Sequence, residues 1–383
     1  MRDTALPDVL VAGAGIGGLT TLLAVHRYDI RARAVESVSD LRPVGLGINL
    51  LPHAVRELHR LELGEQLDRI SMRPSSLAFH DSVGRLLFRE DLGTAGGYGF
   101  PQCSVHRGDL QALLLHAVAD RLGFDAVRIG TRVTDFTDVK AGLVVTTSQG
   151  DMTADILVGA DGIHSAVRAK LHPPAADPLL WSGVRMYRGL ATNTPLLDGR
   201  TMVNVKAENG DELIVYPLTS GRTNWVLLVR EASPGLPVER FRWDAPVDRE
   251  QVAERVSNWQ LGWLDPGALI ADTETVLQFP MVDRQPLASW GNGKVTLLGD
   301  AAHPMYPVGA NGASQSIVDA AILAECLAAD PVGGLRNYET RRITATSAVV
   351  LANRERHADG AADLERTAAR YRAQTGADMG GEI

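Results

Sequence analysis

The spacing of hydrophobic and polar positions changes along the chain, and each change marks an element. Asp8-Val9-Leu10-Val11-Ala12 is an apolar run between an acid and a glycine, which predicts a short strand buried on both faces. Gly13-Ala14-Gly15-Ile16-Gly17-Gly18 follows, and the apolar-rich stretch to about position 28 predicts a helix. A strand is predicted over 30–36. After a glycine-containing loop, Arg42-Pro43-Val44-Gly45-Leu46-Gly47, a helix is predicted over 52–61. Ile156-Leu157-Val158-Gly159 and Val295-Thr296-Leu297-Leu298 predict two more buried strands, and helical periodicity runs from about position 315 to 328. Between 184 and 230 the period drops to two. Strands are predicted there over 201–207, 212–218 and 224–230, joined by the turn pairs Asn209-Gly210 and Ser220-Gly221, with an earlier hairpin over 76–89. The tail beyond Asp330 is rich in Arg, Ala and Glu and reads as a solvated helix to about position 375.

The first strand, glycine turn and helix carry chemistry. In G-x-G-x-x-G the first glycine (Gly13) allows a tight bend, the second (Gly15) lets backbone approach a pyrophosphate, and the third (Gly18) lets helix pack on strand. The phosphates then meet a helix N-terminus, whose unpaired N–H groups favour an anion. Glu36 ends the second strand 18 residues beyond Gly18, near the roughly 20 expected of an acid that accepts from a ribose hydroxyl. A carboxylate there suits an adenosine without a 2′-phosphate, as in NAD or FAD.

Composition narrows the choice of partners. The 383 residues, 45% hydrophobic and 22% charged, fit a folded protein of two or three domains. The net charge of −8 and the lack of a basic run argue against nucleic acid. Residues 9–25 are uncharged, but four glycines and the missing basic flank argue against a signal peptide or membrane span. Two cysteines, Cys103 and Cys326, exclude a disulfide framework and suit a reducing, cytoplasmic setting. The ten histidines show no metal-ligand spacing, and no hydrolase elbow is present, so no metal is expected.

Three motifs stand in order along the chain: the glycine turn, Asp161-Gly162 and Gly299-Asp300. In these motifs the chain resembles the class A flavin-dependent aromatic monooxygenases of the p-hydroxybenzoate hydroxylase fold, over roughly residues 8–345. The stretches at 42–55 and 299–315 look most like the phenazine-pathway and salicylate-hydroxylase-like members. The commoner family pattern has glycine and asparagine where this chain has Ala310 and Ser314. The resemblance implies an α/β fold: a Rossmann-like FAD-binding domain (1–72, 101–177 and 283–330), an antiparallel-sheet substrate domain (73–100 and 178–282) and a C-terminal helical segment (331–383). It also implies FAD as cofactor and NADH or NADPH as a transient reductant, since no second glycine motif exists. Oxygen would be transferred from a C4a-hydroperoxyflavin to an aromatic or N-heteroaromatic ring, in some cases with loss of a carboxylate.

Residue by residue, the resemblance assigns Asp300 to the flavin's ribityl chain and Arg107 to the pyrophosphate. It gives Asp161 a bracing role, with Arg168 placed to pair with it, and puts Arg42 and Gly47 in the loop beside the flavin. Gly309, Gly312 and Ala313 would present backbone to the ring, with Pro307, Gly312 and Ala313 nearest the chemistry, and His303 would sit behind as a structural group. Period two offers Asn204, Tyr216 and Trp225 as pocket residues, although a one-residue slip exchanges faces. Met305 and Tyr306 join them by resemblance. The expected partners are a small aromatic substrate, O2 and NAD(P)H, with the chain a monomer or homodimer. A noncatalytic or oxidase-type flavoprotein is the competing reading. A flavin halogenase is disfavoured because W-x-W-x-I-P is missing.

Overall fold

A computed structural model describes residues 6–41, 45–140, 142–192, 196–237 and 243–358. Arg42 and the tail beyond 358 therefore lie outside the described residues.

The unbroken apolar runs become a five-stranded parallel sheet. Val9–Ala12 sits at its centre between Ile156–Gly159 and Ala32–Val35, with Val295–Leu297 and Val127–Arg128 at the edges. Helix Ile16–His26 and the long helix Asn311–Ala329 pack on it, and Leu10, Leu19, Leu22, Leu157, Leu297 and Ile317 are fully buried in one core. By length and composition Val308–Ala329 could cross a membrane, yet it lies within this core, with 56% of its apolar window buried.

The period-two segments build an eight-stranded sheet. Its order is Ala245–Val247, Val276–Asp283, Leu180–Thr192, Arg222–Arg230, Glu212–Pro217, Thr201–Lys206, Ser76–Asp81, Leu86–Asp91. All pairings are antiparallel except Thr201–Lys206 with Ser76–Asp81, because the connection between those strands crosses the other sheets. A small three-stranded sheet, Gly47–Leu50, Cys103–His106 and Ser71–Met72, joins the two large ones. Helix Gly334–Ala358 is not the solvated helix its composition suggested. It buries Leu335, Tyr338, Arg342, Thr346 and Asn353, and its Arg354 makes two bonds to the buried Asp283 (2.6 and 3.0 Å).

Candidate functional site

The glycine turn closes as its spacing requires. Gly13 adopts φ +104, and a Cβ there would lie 2.5 Å from the Ala160 carbonyl oxygen. A Cβ at Gly18 would come within 2.0 Å of the Gly13 oxygen, so helix and strand touch backbone to backbone. Gly15, the N-cap of Ile16–His26, differs: no atom lies within 4 Å of its Cβ direction, which leaves open space before a helix N-terminus. Glu36 sits at that mouth, accepting from the Ala14 N–H (2.8 Å) and the Val38 N–H (3.0 Å). Asp161 lies against Gly13 and caps helix Ala166–Leu171 through the Ala166 N–H (2.8 Å). Its other oxygen is buried without a partner, and burial pushes its carboxyl up. Arg168 does not pair with it. The Arg168 guanidinium instead bonds Asp177 (2.6 and 2.9 Å) and the carbonyls of Ala301 and Ala302, because the helix turns it towards the Asp300 segment.

Asp300 follows the edge strand Val295–Leu297 in a short turn, Gly299–Ala301. Its carboxylate opens onto a cavity and makes no hydrogen bond with the described residues. Protein surrounds it on the remaining sides and pushes the carboxyl up, against the pull of His303 and Arg107. Arg107 itself is exposed and opens helix Arg107–Leu122. Across from Asp300, Gly309 (φ +76) and Ala310 (φ +61) are consecutive left-handed residues that break the chain just before helix Asn311–Ala329. Ala310 thus holds a conformation that suits glycine. Ser314 accepts from the Leu51 N–H (3.0 Å) and donates to the Ala310 carbonyl (3.1 Å), bracing the same turn. The first-turn N–H groups of the helix lack intrahelical partners, and Asn311, Gly312 and Ala313 line the cavity. Nothing lies nearer the Gly312 Cβ direction than Asp300 Oδ1 at 3.9 Å.

Behind this turn Asp319 is fully buried, accepting from the Gly299 N–H (3.1 Å) and Arg342 Nε (2.7 Å), with His303 Nε2 at 2.6 Å. Burial alone would raise its carboxyl, but His303 and Arg342 outweigh burial and hold it down to about 2. His303 is thus structural in placement. Neither Asp319 nor Arg342 stood out in the sequence, because nothing local shows that two helices bring them together.

The cavity measures 320 Å³ and lies between the face of the eight-stranded sheet and the turn at 305–313. Gly47, Asp300, Met305, Pro307, Gly309, Gly312 and Ala313 line one side, and Asn204 and Tyr216 line the sheet side. Trp225 does not reach it. Its strand pairs Asn224 with Tyr216, so Trp225 points to the opposite face, fully buried, and donates to Thr273 Oγ1 (2.8 Å). Tyr306 also misses the cavity: it packs behind the wall with Met186, Val226 and Met281, and burial pushes its hydroxyl up to about 12. Asn224 replaces Trp225 at the junction, its Oδ1 accepting from the Gly47 N–H (2.7 Å).

Two cations within the cavity escaped the sequence reading. Arg188 donates to the Gly47 carbonyl (2.9 Å), its Nε is buried without a partner, and no carboxylate pairs with it among the described residues. Burial pushes its guanidinium down, opposed by Tyr216, whose own hydroxyl burial raises to about 12. Lys206 is the second, on the neighbouring strand to Glu212. Arginine and lysine in alternating strands look like solvent-facing residues until the sheet is covered.

The residues present fit a dinucleotide with a long polyol linker. The open face of Gly15 accommodates phosphate, the unpaired Asp300 carboxylate accommodates hydroxyl donors, and the free N–H groups at 311–313 face the far end. The FAD binding domain family model matches residues 7–352. Phenazine 1,6-dicarboxylic acid hydroxylase of Lysobacter antibioticus is 44% identical, the match covering 96% of each chain. 3-Hydroxybenzoate 6-hydroxylase 1 of Aquipseudomonas alcaligenes is 32% identical over 89% of this chain and 86% of that one. The solved structure of Klebsiella pneumoniae HpxO complexed with FAD and uric acid is 26% identical with a TM-score of 0.77, covering 96% and 92% of the two chains. With the glycine turn, the Asp300 turn and the cavity in place, and with relatives matched almost end to end, the chain belongs to the FAD binding domain family, among its FAD-dependent aromatic monooxygenases.

Proposed function

We propose that this enzyme hydroxylates an aromatic or N-heteroaromatic carboxylate, using O2 and a transiently bound NADH or NADPH. The observation that carries the substrate class is Arg188: a guanidinium inside an otherwise largely apolar cavity, without an acidic partner among the described residues. An unpaired buried cation is costly, and a substrate carboxylate would supply its counter-charge. The 44% identical relative is named for a phenazine dicarboxylic acid, and the 32% identical one for a hydroxybenzoate, both aromatic acids.

In this reading Gly13, Gly15 and Gly18 hold the pyrophosphate, Glu36 the ribose, and Asp300 the ribityl hydroxyls, with Asp161 and Arg107 beside the phosphates. FAD held there supplies the redox chemistry that activates oxygen. The N–H groups of Gly312 and Ala313 stabilise negative charge at the ring edge. Met186, Met202, Ile214, Val226, Leu228 and Met281 keep water from the reacting centre. Tyr216 stays a neutral hydroxyl at physiological pH and orients Arg188. Both cysteines are buried free thiols, which suits a cytoplasmic setting.

The test is a screen of phenazine carboxylates, salicylates and hydroxybenzoates for stimulated NADH or NADPH oxidation under labelled O2. One labelled oxygen atom per product molecule is expected. Label found only in water or peroxide for every acid would leave an oxidase-type flavoprotein in its place.

A further inference from the structure

The two cations of the cavity lie at opposite ends. Arg188 is on strand Leu180–Thr192 and Lys206 on Thr201–Lys206, with two strands between them, so about 14 Å of sheet separates them at about 4.8 Å per strand. Both line the same cavity, and the floor between them is Met186, Ile214, Val226 and Leu228. At the far end Lys206 Nζ lies 3.3 Å from Glu212 Oε1, and Asn204 Nδ2 donates to Glu212 Oε2 (3.3 Å). An ammonium carries three donors, and a single acceptor uses only one. The lysine side chain is 8% exposed, so bulk water does not readily satisfy the others. Asn204 Oδ1 is buried and also lacks a partner. The far end therefore offers spare donors beside a spare acceptor, inside a trough longer than one benzene ring.

We infer that Lys206, with Asn204, forms a second recognition subsite for a carboxyl group on the substrate ring remote from Arg188, so that the preferred substrate is a fused polycycle with acid groups at both ends. This rests on the proposed function. Glu212 keeps the ammonium oriented, the spare donors of Lys206 meet the incoming carboxyl oxygen, and Asn204 Oδ1 accepts from the carboxyl when it is protonated. A one-ring acid held by Arg188 leaves this end unsatisfied, which makes Lys206 a specificity-determining residue.

The probes are phenazine 1,6-dicarboxylate and phenazine 1-carboxylate, titrated into the FAD-loaded enzyme by flavin absorbance and followed by kcat/KM. The wild type should prefer the dicarboxylate, and Lys206→Met should lower that preference about 10- to 100-fold, as expected for one charge-assisted hydrogen bond. Lys206→Arg, which keeps charge and donors, should retain most of it. Should Lys206→Met lose its flavin, Lys206→Gln provides the same comparison. An unchanged preference in the uncharged variant overturns the subsite while leaving the proposed function standing. A wild type that holds FAD but binds neither phenazine overturns both.

Discussion

Replacing Gly15 with valine separates cofactor binding from folding at one position. Its backbone sits at φ −74 and ψ −174, extended geometry that a β-branched residue adopts without strain, and no protein atom lies within 4 Å of its Cβ direction. The fold should therefore change by no more than about 0.5 kcal/mol. A phosphate held by the N–H groups that follow must approach to about 2.7–3.2 Å, and a valine side chain fills that approach. Loss of two charge-assisted hydrogen bonds at about 1.5–3 kcal/mol each raises the FAD dissociation constant about 10²- to 10⁴-fold. The comparison is Gly18→Val, whose Cβ would lie 2.0 Å from the Gly13 oxygen and which should fail to fold. The assay is flavin absorbance per protein after purification, with thermal melting measured against FAD-stripped wild type. Gly15→Val should be colourless with the melting temperature of the stripped wild type. A folded Gly15→Val protein carrying stoichiometric FAD would refute the assignment.

Asp300→Ala should weaken FAD binding by about 1–3 kcal/mol, roughly 5- to 150-fold, by leaving ribityl hydroxyls unmet; an unchanged dissociation constant removes Asp300 from the site. Asp319→Asn should destabilise the protein by about 3–5 kcal/mol, since Arg342 and His303 lose their buried partner. The Asp319 carboxyl is held at about 2 against an ordinary 3.8, so its contribution is present above about pH 4 and lost as pH falls towards 2, amounting to about 2 kcal/mol. Denaturant titrations should show the gap between wild type and variant narrowing over that window, and a constant gap refutes the charge assignment. Arg188→Met should raise KM for an aromatic carboxylate about 10- to 100-fold, with less effect on the carboxamide analogue; equal losses on both would assign Arg188 a purely structural role.

The sequence by itself determined what depends on neighbours along the chain. Gly13, Gly15 and Gly18 are legible because a tight turn, an open face and a helix contact each require a missing side chain at a set distance from a buried strand. Asp300 is legible for a similar reason, as an acid at the end of an apolar run. The hairpins of the large sheet were marked by their turn pairs, which dictate pairing locally. Which face of that sheet looks at the cavity was not local. Trp225 and Asn224 differ by one residue and point to opposite sides, and only packing of helices on one face and the 305–313 turn on the other decides between them. Tertiary structure likewise gave Arg168 to Asp177 rather than Asp161, and brought Asp319 and Arg342 together behind the Asp300 turn from helices 23 positions apart. It placed Arg188 and Lys206 in one cavity as well. Charged side chains on alternating strands are ordinary on a solvated sheet, and they become recognition groups only when a second layer covers that face and removes the water.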